Sequence, residues 1–136
     1  MSQTAALALL DRYYTAFNAG DWEGMLACLS DDVAHDINQG ARQVGKDAFR
    51  SFLAHMERCY AEQLHDLVLM ASADGTRASA EFVVHGQYLN TDAGLPEATG
   101  QRYVLPAGAF FAIENGLIAR VTVYYNLADW EAQVIG

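Results

Sequence analysis

Apolar side chains recur along this chain with two different periods, and the change falls near the middle. Leu7, Leu10, Tyr13, Tyr14 and Phe17 are spaced by three and four positions, which lays one apolar stripe along a helix of about four turns. In "NAGD", Gly20 supplies a stop and Asp21 a cap, so a second, short helix is expected over 22–29, closed by Asp31 and Asp32. Residues 33–38 then read as a short strand. Phe49, Phe52, Leu53, Met56 and Tyr60 return to helical spacing and predict a third helix over 47–60.

From Leu64 onward the pattern is extended. "LHDLVLMASA", "RASAEFVVHGQYL", "QRYVLPAGAFFAIE" and "LIARVTVYYN" are strand-like runs, with Asp74-Gly75 and Asn115-Gly116 at two of the junctions. Asp-Gly and Asn-Gly favour tight hairpins because such turns need positive φ. The order predicts an α+β domain: three N-terminal helices packed on a curved antiparallel β-sheet. Runs such as "FVV" and "VTVYY" are apolar at odd and even positions alike, so both sheet faces should be covered. The helices take one face. A second copy of the chain is expected on the other, as a homodimer through the outer sheet face. Residues 90–100, "NTDAGLPEATG", form the longest polar stretch and are expected to be a surface hairpin loop able to act as a lid.

Composition narrows the picture. A chain of 136 residues, 52% hydrophobic, suits a single domain over 1–136. The net charge is −9 and the eight Lys and Arg residues are scattered, so no cationic surface is offered to nucleic acid. The start has no basic n-region with a long apolar core, and no run approaches a membrane span, so a soluble, cytoplasmic protein is expected. Cys28 and Cys59 show no ligand spacing and are expected as packed, reduced thiols. The four histidines lack HExxH or any close pairing, so neither a metal nor another cofactor is expected. His55 and His65 are expected at the surface.

The densest polar stretch is "SDDVAHDINQG". On a regular strand Val33, His35 and Ile37 share one face, and Ala34, Asp36 and Asn38 the other. The two apolar neighbours point His35 inward, where an imidazole can move a proton near neutral pH. The bland alternative is a core histidine bonded to a backbone carbonyl. A bulge would reverse the parity and send Asp36 inward, whereas a regular strand leaves it to turn or capping bonds. Asn38 and Gln39, beside Gly40, suit a turn. Tyr13 is by itself a packing residue with a polar tip. His85 lies on a strand among aromatic neighbours, suited to sheet or dimer contact and able to meet a ligand.

Helix, helix, short strand, helix and curved sheet is also the order of the cone-shaped fold of nuclear transport factor 2, ketosteroid isomerases, SnoaL-type polyketide cyclases and limonene epoxide hydrolases. "RYYTAFNAGDWEGMLACLSDDV" resembles the opening of steroid isomerases, and "GKDAFRSFL" a segment common to SnoaL-like proteins. The resemblance covers nearly the whole chain and implies an NTF2-like cone with an apolar pocket. The isomerases use an aspartate base with a tyrosine and a protonated aspartic acid as oxyanion donors. Their tyrosine aligns with Tyr13, their base with Ile37, one residue past Asp36, and their acid near Ala109, where this chain has none. One role of three is kept. The epoxide hydrolases also need an Arg-x-Asp pair that "EFVVHGQY" lacks. The resemblance therefore implies an isomerase or cyclase acting on a small hydrophobic carbonyl compound, with His35 or Asp36 as base and Tyr13 as donor. Substrate contacts are expected from Phe17, Asn38, Phe52, Met56, His85, Tyr88, Phe110 and Tyr125. The alternative is a non-catalytic binding or dimerisation module.

Overall fold

The Ser2 hydroxyl accepts the Ala5 amide at 3.0 Å and starts α1 (Gln3–Ala19), which ends where Gly20 turns left-handed at φ 69°. The computed structural model describes residues 2–135. Leu9 and Leu10 on α1 are fully buried, each worth about 2 kcal/mol of apolar transfer. Asp21 caps α2 (Trp22–Leu26) by accepting the Gly24 amide at 2.9 Å.

The second helix is shorter than its sequence suggests. The chain turns after Leu26 and enters β1 (Leu29–Asp36), so Asp31 and Asp32 lie on a strand and close no helix. Pairing of Leu29 with Ile118, and of residues 34–36 with residues 120–122, overrides the local helical pattern. A short β2 (Arg42–Val44) hydrogen-bonds to β1 and precedes α3 (Lys46–Cys59). Helix α3 runs without a loop into β3 (Tyr60–Ala71), so this strand begins before Leu64. It is followed by β4 (Arg77–Tyr88), β5 (Arg102–Glu114), β6 (Leu117–Tyr125) and α4 (Leu127–Ile135). The spacing of residues had revealed neither β2 nor α4.

Asn115 and Gly116, at φ 52° and 77°, make the two-residue hairpin expected between β5 and β6. At Asp74-Gly75 only the glycine has positive φ, and the turn is longer. There the Asp74 carboxylate accepts from Ser72 Oγ, Thr76 N and Thr76 Oγ1 at 2.8–3.0 Å.

Among the described residues six strands form one sheet in the order β2-β1-β6-β5-β4-β3, antiparallel throughout except for the parallel β1–β6 pair. Its inner face carries Phe82 and Val84 of β4, Leu105 and Phe111 of β5 and Val121 of β6 against the helices. The outer face leaves Val68, Met70, Val104, Phe110 and Tyr124 exposed. Cys28 and Cys59 are free and buried. No helix among the described residues is long and apolar enough to cross a membrane.

Candidate functional site

Helices α1 and α3, the inner sheet face, the 90–100 loop and α4 surround a cavity of about 470 Å³. That size suits a small molecule. Phe17, Phe52 and Met56 line it, as expected, together with Phe49, Phe82 and Trp130. The loop contributes Asp92, Ala93 and Leu95 to the cavity wall.

The β1–β6 register shifts between Leu29 and Ala34, and regular alternation holds from Val33 to the end of β1. His35 is 3% exposed and lines the cavity, its ring 4.4 Å from that of Phe49 and 4.7 Å from that of Phe52. Burial lowers its pKa to about 4, against a weaker opposing pull from Asp36, so the imidazole is neutral at pH 7. Its Nδ1 is buried without a hydrogen-bond partner, so the backbone-bonded core histidine is not what this nitrogen provides.

Asp36 is not a cavity residue. Its side chain lies on the outer side, where Arg42 Nε donates at 2.6 Å, Arg42 Nη2 at 3.0 Å and Thr122 Oγ1 at 2.7 Å. These bonds hold its pKa down to about 2. No bulge reverses the parity at His35, because residues 34–36 pair in register with both β2 and β6. The expected role of Asp36 as base is therefore replaced by a structural one.

Tyr13 lines the cavity from α1, edge-on to Tyr14 at 5.1 Å and Phe111 at 5.8 Å. Burial pushes its pKa up, so the hydroxyl keeps its proton. Asn38 follows β1 in the turn closed by the Gly40 amide on the Ile37 carbonyl. It also lines the cavity, with a buried, unpartnered Nδ2. Tyr125 lines the wall beside it on β6, and burial raises its pKa as well.

Three expected contacts lie elsewhere. His85 and Phe110 fall on the outward positions of β4 and β5, where His85 packs on His65 at 4.1 Å and Phe110 on Tyr124 at 5.9 Å. Their immediate neighbours along each strand carry the inward side chains. Tyr88 points inward but is fully buried behind the lining, its hydroxyl donating to the Pro96 carbonyl and accepting the Asp92 amide, so it anchors the loop.

Sequence spacing missed a second polar group. Tyr60 and Glu62 alternate inward at the start of β3 and both line the cavity. Glu62 Oε2 accepts from Tyr103 at 2.6 Å, and burial raises its pKa against that bond. Tyr60 donates to Asp92 Oδ2 at 2.8 Å, and His55, its side chain 37% exposed, also lines the cavity with Nε2 2.9 Å from Asp92 Oδ1. Extending the strand pattern back from Leu64 through Glu62 to Tyr60 would have found the pair. His55, Cys59 and Asp92 bring ligand atoms within 4.8 Å of one another. Arg58 Nη2, 2.9 Å from His55 Nδ1, places a fixed positive charge there, which favours a hydrogen-bond network over a cation.

A family model described as a SnoaL-like domain matches residues 10–121. The chain belongs to this family. Three solved structures, each described as a "putative polyketide cyclase", superpose over nearly its whole length. The protein from Pseudomonas putida KT2440 is 64% identical, with 95% of this chain and 97% of that one covered and a TM-score of 0.94. Its counterpart from Xanthomonas campestris pv. campestris is 57% identical, covering 97% and 98%, with a TM-score of 0.94. That from Silicibacter sp. TM1040 is 56% identical, covering 98% of both chains, with a TM-score of 0.95. No curated protein matches the chain.

Proposed function

We propose that this protein is a cofactor-free enzyme that isomerises or cyclises a hydrophobic carbonyl compound by proton transfer in the cavity, with His35 as base and Tyr13 as hydrogen-bond donor to the enolate oxygen. The observation that carries the reading is a neutral imidazole set between the Phe49 and Phe52 rings in the cavity wall. A neutral imidazole can take a proton from the carbon beside a carbonyl; the C–H electron pair then passes into the enolate, and return of the proton at another carbon completes an isomerisation. Tyr13, held protonated by burial, supplies a donor in a medium where such a bond is worth about 3 kcal/mol. The likeness to proteins described as "putative polyketide cyclase" supports the same chemistry.

The exposed apolar side chains Phe110, Tyr124 and Val104 support pairing of two copies through the outer sheet face. The alternative of a non-catalytic binding module draws on the withdrawal of Asp36 to the outside, which leaves the cavity one base fewer. A thermal-shift screen of hydrophobic ketones and lactones identifies ligands, since one at a hundred times its Kd adds about 2.7 kcal/mol. Exchange of α-hydrogens of the bound ketones in deuterium oxide then separates the readings. Acceleration over buffer supports the enzyme, and binding without acceleration leaves the module.

A further inference from the structure

Glu62 pairs with Gly86 across β3 and β4, and Gly86 pairs with Tyr103 across β4 and β5. The three form one row on the inner sheet face. Because Gly86 has no side chain, the Tyr103 ring lies over its backbone and its hydroxyl reaches Glu62 Oε2 at 2.6 Å; a methyl group at Gly86 would overlap that ring. The carboxyl is thus braced from one side in a cavity wall with apolar neighbours such as Leu64 and Trp130.

Glu62 has no cationic partner among the described residues, whose ion pairs join Asp36 to Arg42, Asp31 to Lys46, Glu23 to Arg50 and Asp92 to His55. A carboxyl in such a place is costly unless its lone pairs are used. It offers about four acceptor positions, and Tyr103 takes one.

We propose that Glu62, positioned by Tyr103 across Gly86, is a ligand-binding group that accepts a hydrogen bond from the hydroxyl of an enol or phenol in the cavity. The proposal rests on the reading that the cavity holds the substrate, and it narrows the substrate class to compounds that carry, or acquire on enolisation, a hydroxyl directed at β3. Burial raises the carboxyl's own pKa, so a further donated hydrogen bond offsets part of the cost of its charge.

Two probes of one ring system test this: 2-naphthol, which donates a hydrogen bond, and 2-methoxynaphthalene, which cannot. Fluorescence titration of the wild-type protein is expected to show a preference for naphthol of about tenfold, the effect of one good hydrogen bond. Glu62→Leu should abolish the preference and Tyr103→Phe should reduce it, while the methoxynaphthalene Kd, the control for an intact cavity, stays put. Equal binding of the two probes by wild type, or a preference that survives Glu62→Leu, overturns the proposal and leaves the cavity reading standing. Binding of neither probe overturns both. Tighter binding of 2-naphthylmethylammonium than of naphthol overturns the hydroxyl assignment.

Discussion

His35 and Asp36 are covalent neighbours on opposite faces of β1, the imidazole buried in the cavity wall and the carboxylate 2.6 Å from Arg42 on the outside. Both have lowered pKa values for unrelated reasons. Desolvation holds the histidine neutral, and donated hydrogen bonds hold the aspartate ionised.

For His35 the unfolded chain takes up a proton near pH 6.5 and the folded one only near pH 4. The unfolded state therefore binds more protons between these values. The stability contribution of the neutral imidazole is complete above about pH 6.5, falls as the pH drops and levels off below about pH 4. The shift corresponds to a loss of up to about 3 kcal/mol. Urea unfolding at pH 7, 6, 5 and 4 should show this decline in the wild type and a much flatter profile for His35→Phe over the upper part of the window. Parallel profiles would mean that His35 titrates normally.

Asp36 behaves with the opposite ordering. Its folded pKa, about 2, lies below its ordinary 3.8, so its contribution is present above about pH 4 and is lost as the pH falls toward 2. Asp36→Ala should modestly lower the melting temperature at pH 7 and leave ketone exchange within about twofold of wild type, because a surface ion pair contributes little. A large loss of exchange with an unchanged melting temperature would return Asp36 to the reaction.

Gly86→Ala should destabilise by about 1–3 kcal/mol, the range for an overpacked site, because the new methyl group meets the Tyr103 ring. Combining it with Tyr103→Ala should cost less than the sum of the two single changes. Additive costs in chemical denaturation would show that the ring does not depend on the bare backbone at Gly86.

Light scattering at micromolar concentration should report a dimer, and Phe110→Glu with Tyr124→Glu should yield monomers with unchanged affinity for cavity ligands. The two rings sit 5.9 Å apart on the exposed face, so charges placed there oppose apolar pairing without touching the cavity. A wild-type monomer would contradict the dimer.

Period and turn chemistry made α1, α3 and the four long strands readable because each carries a continuous pattern over many residues. The inward side of His35 was readable for the same reason. Helix α2 was read too long because Leu29 is buried where it pairs with Ile118 of β6, a partner far along the chain. His85 suits sheet or dimer contact and Phe110 a ligand contact on sequence alone, because a strand with apolar residues on both faces does not reveal which face is inward; both lie on the outer face. Glu62 escaped notice because its partner Tyr103 is two strands away, and only register brings them together.

The most direct test is hydrogen exchange at C1 of 2-tetralone, a bicyclic hydrophobic ketone, followed by proton NMR in deuterium oxide at pH 7 with wild type, His35→Phe and Tyr13→Phe. The account predicts exchange well above the buffer rate for wild type, loss of about a hundredfold or more of the enzymatic rate without the base, and a smaller loss without the tyrosine. Exchange at the buffer rate while saturation-transfer signals show the ketone bound, or wild-type exchange in His35→Phe, would contradict it.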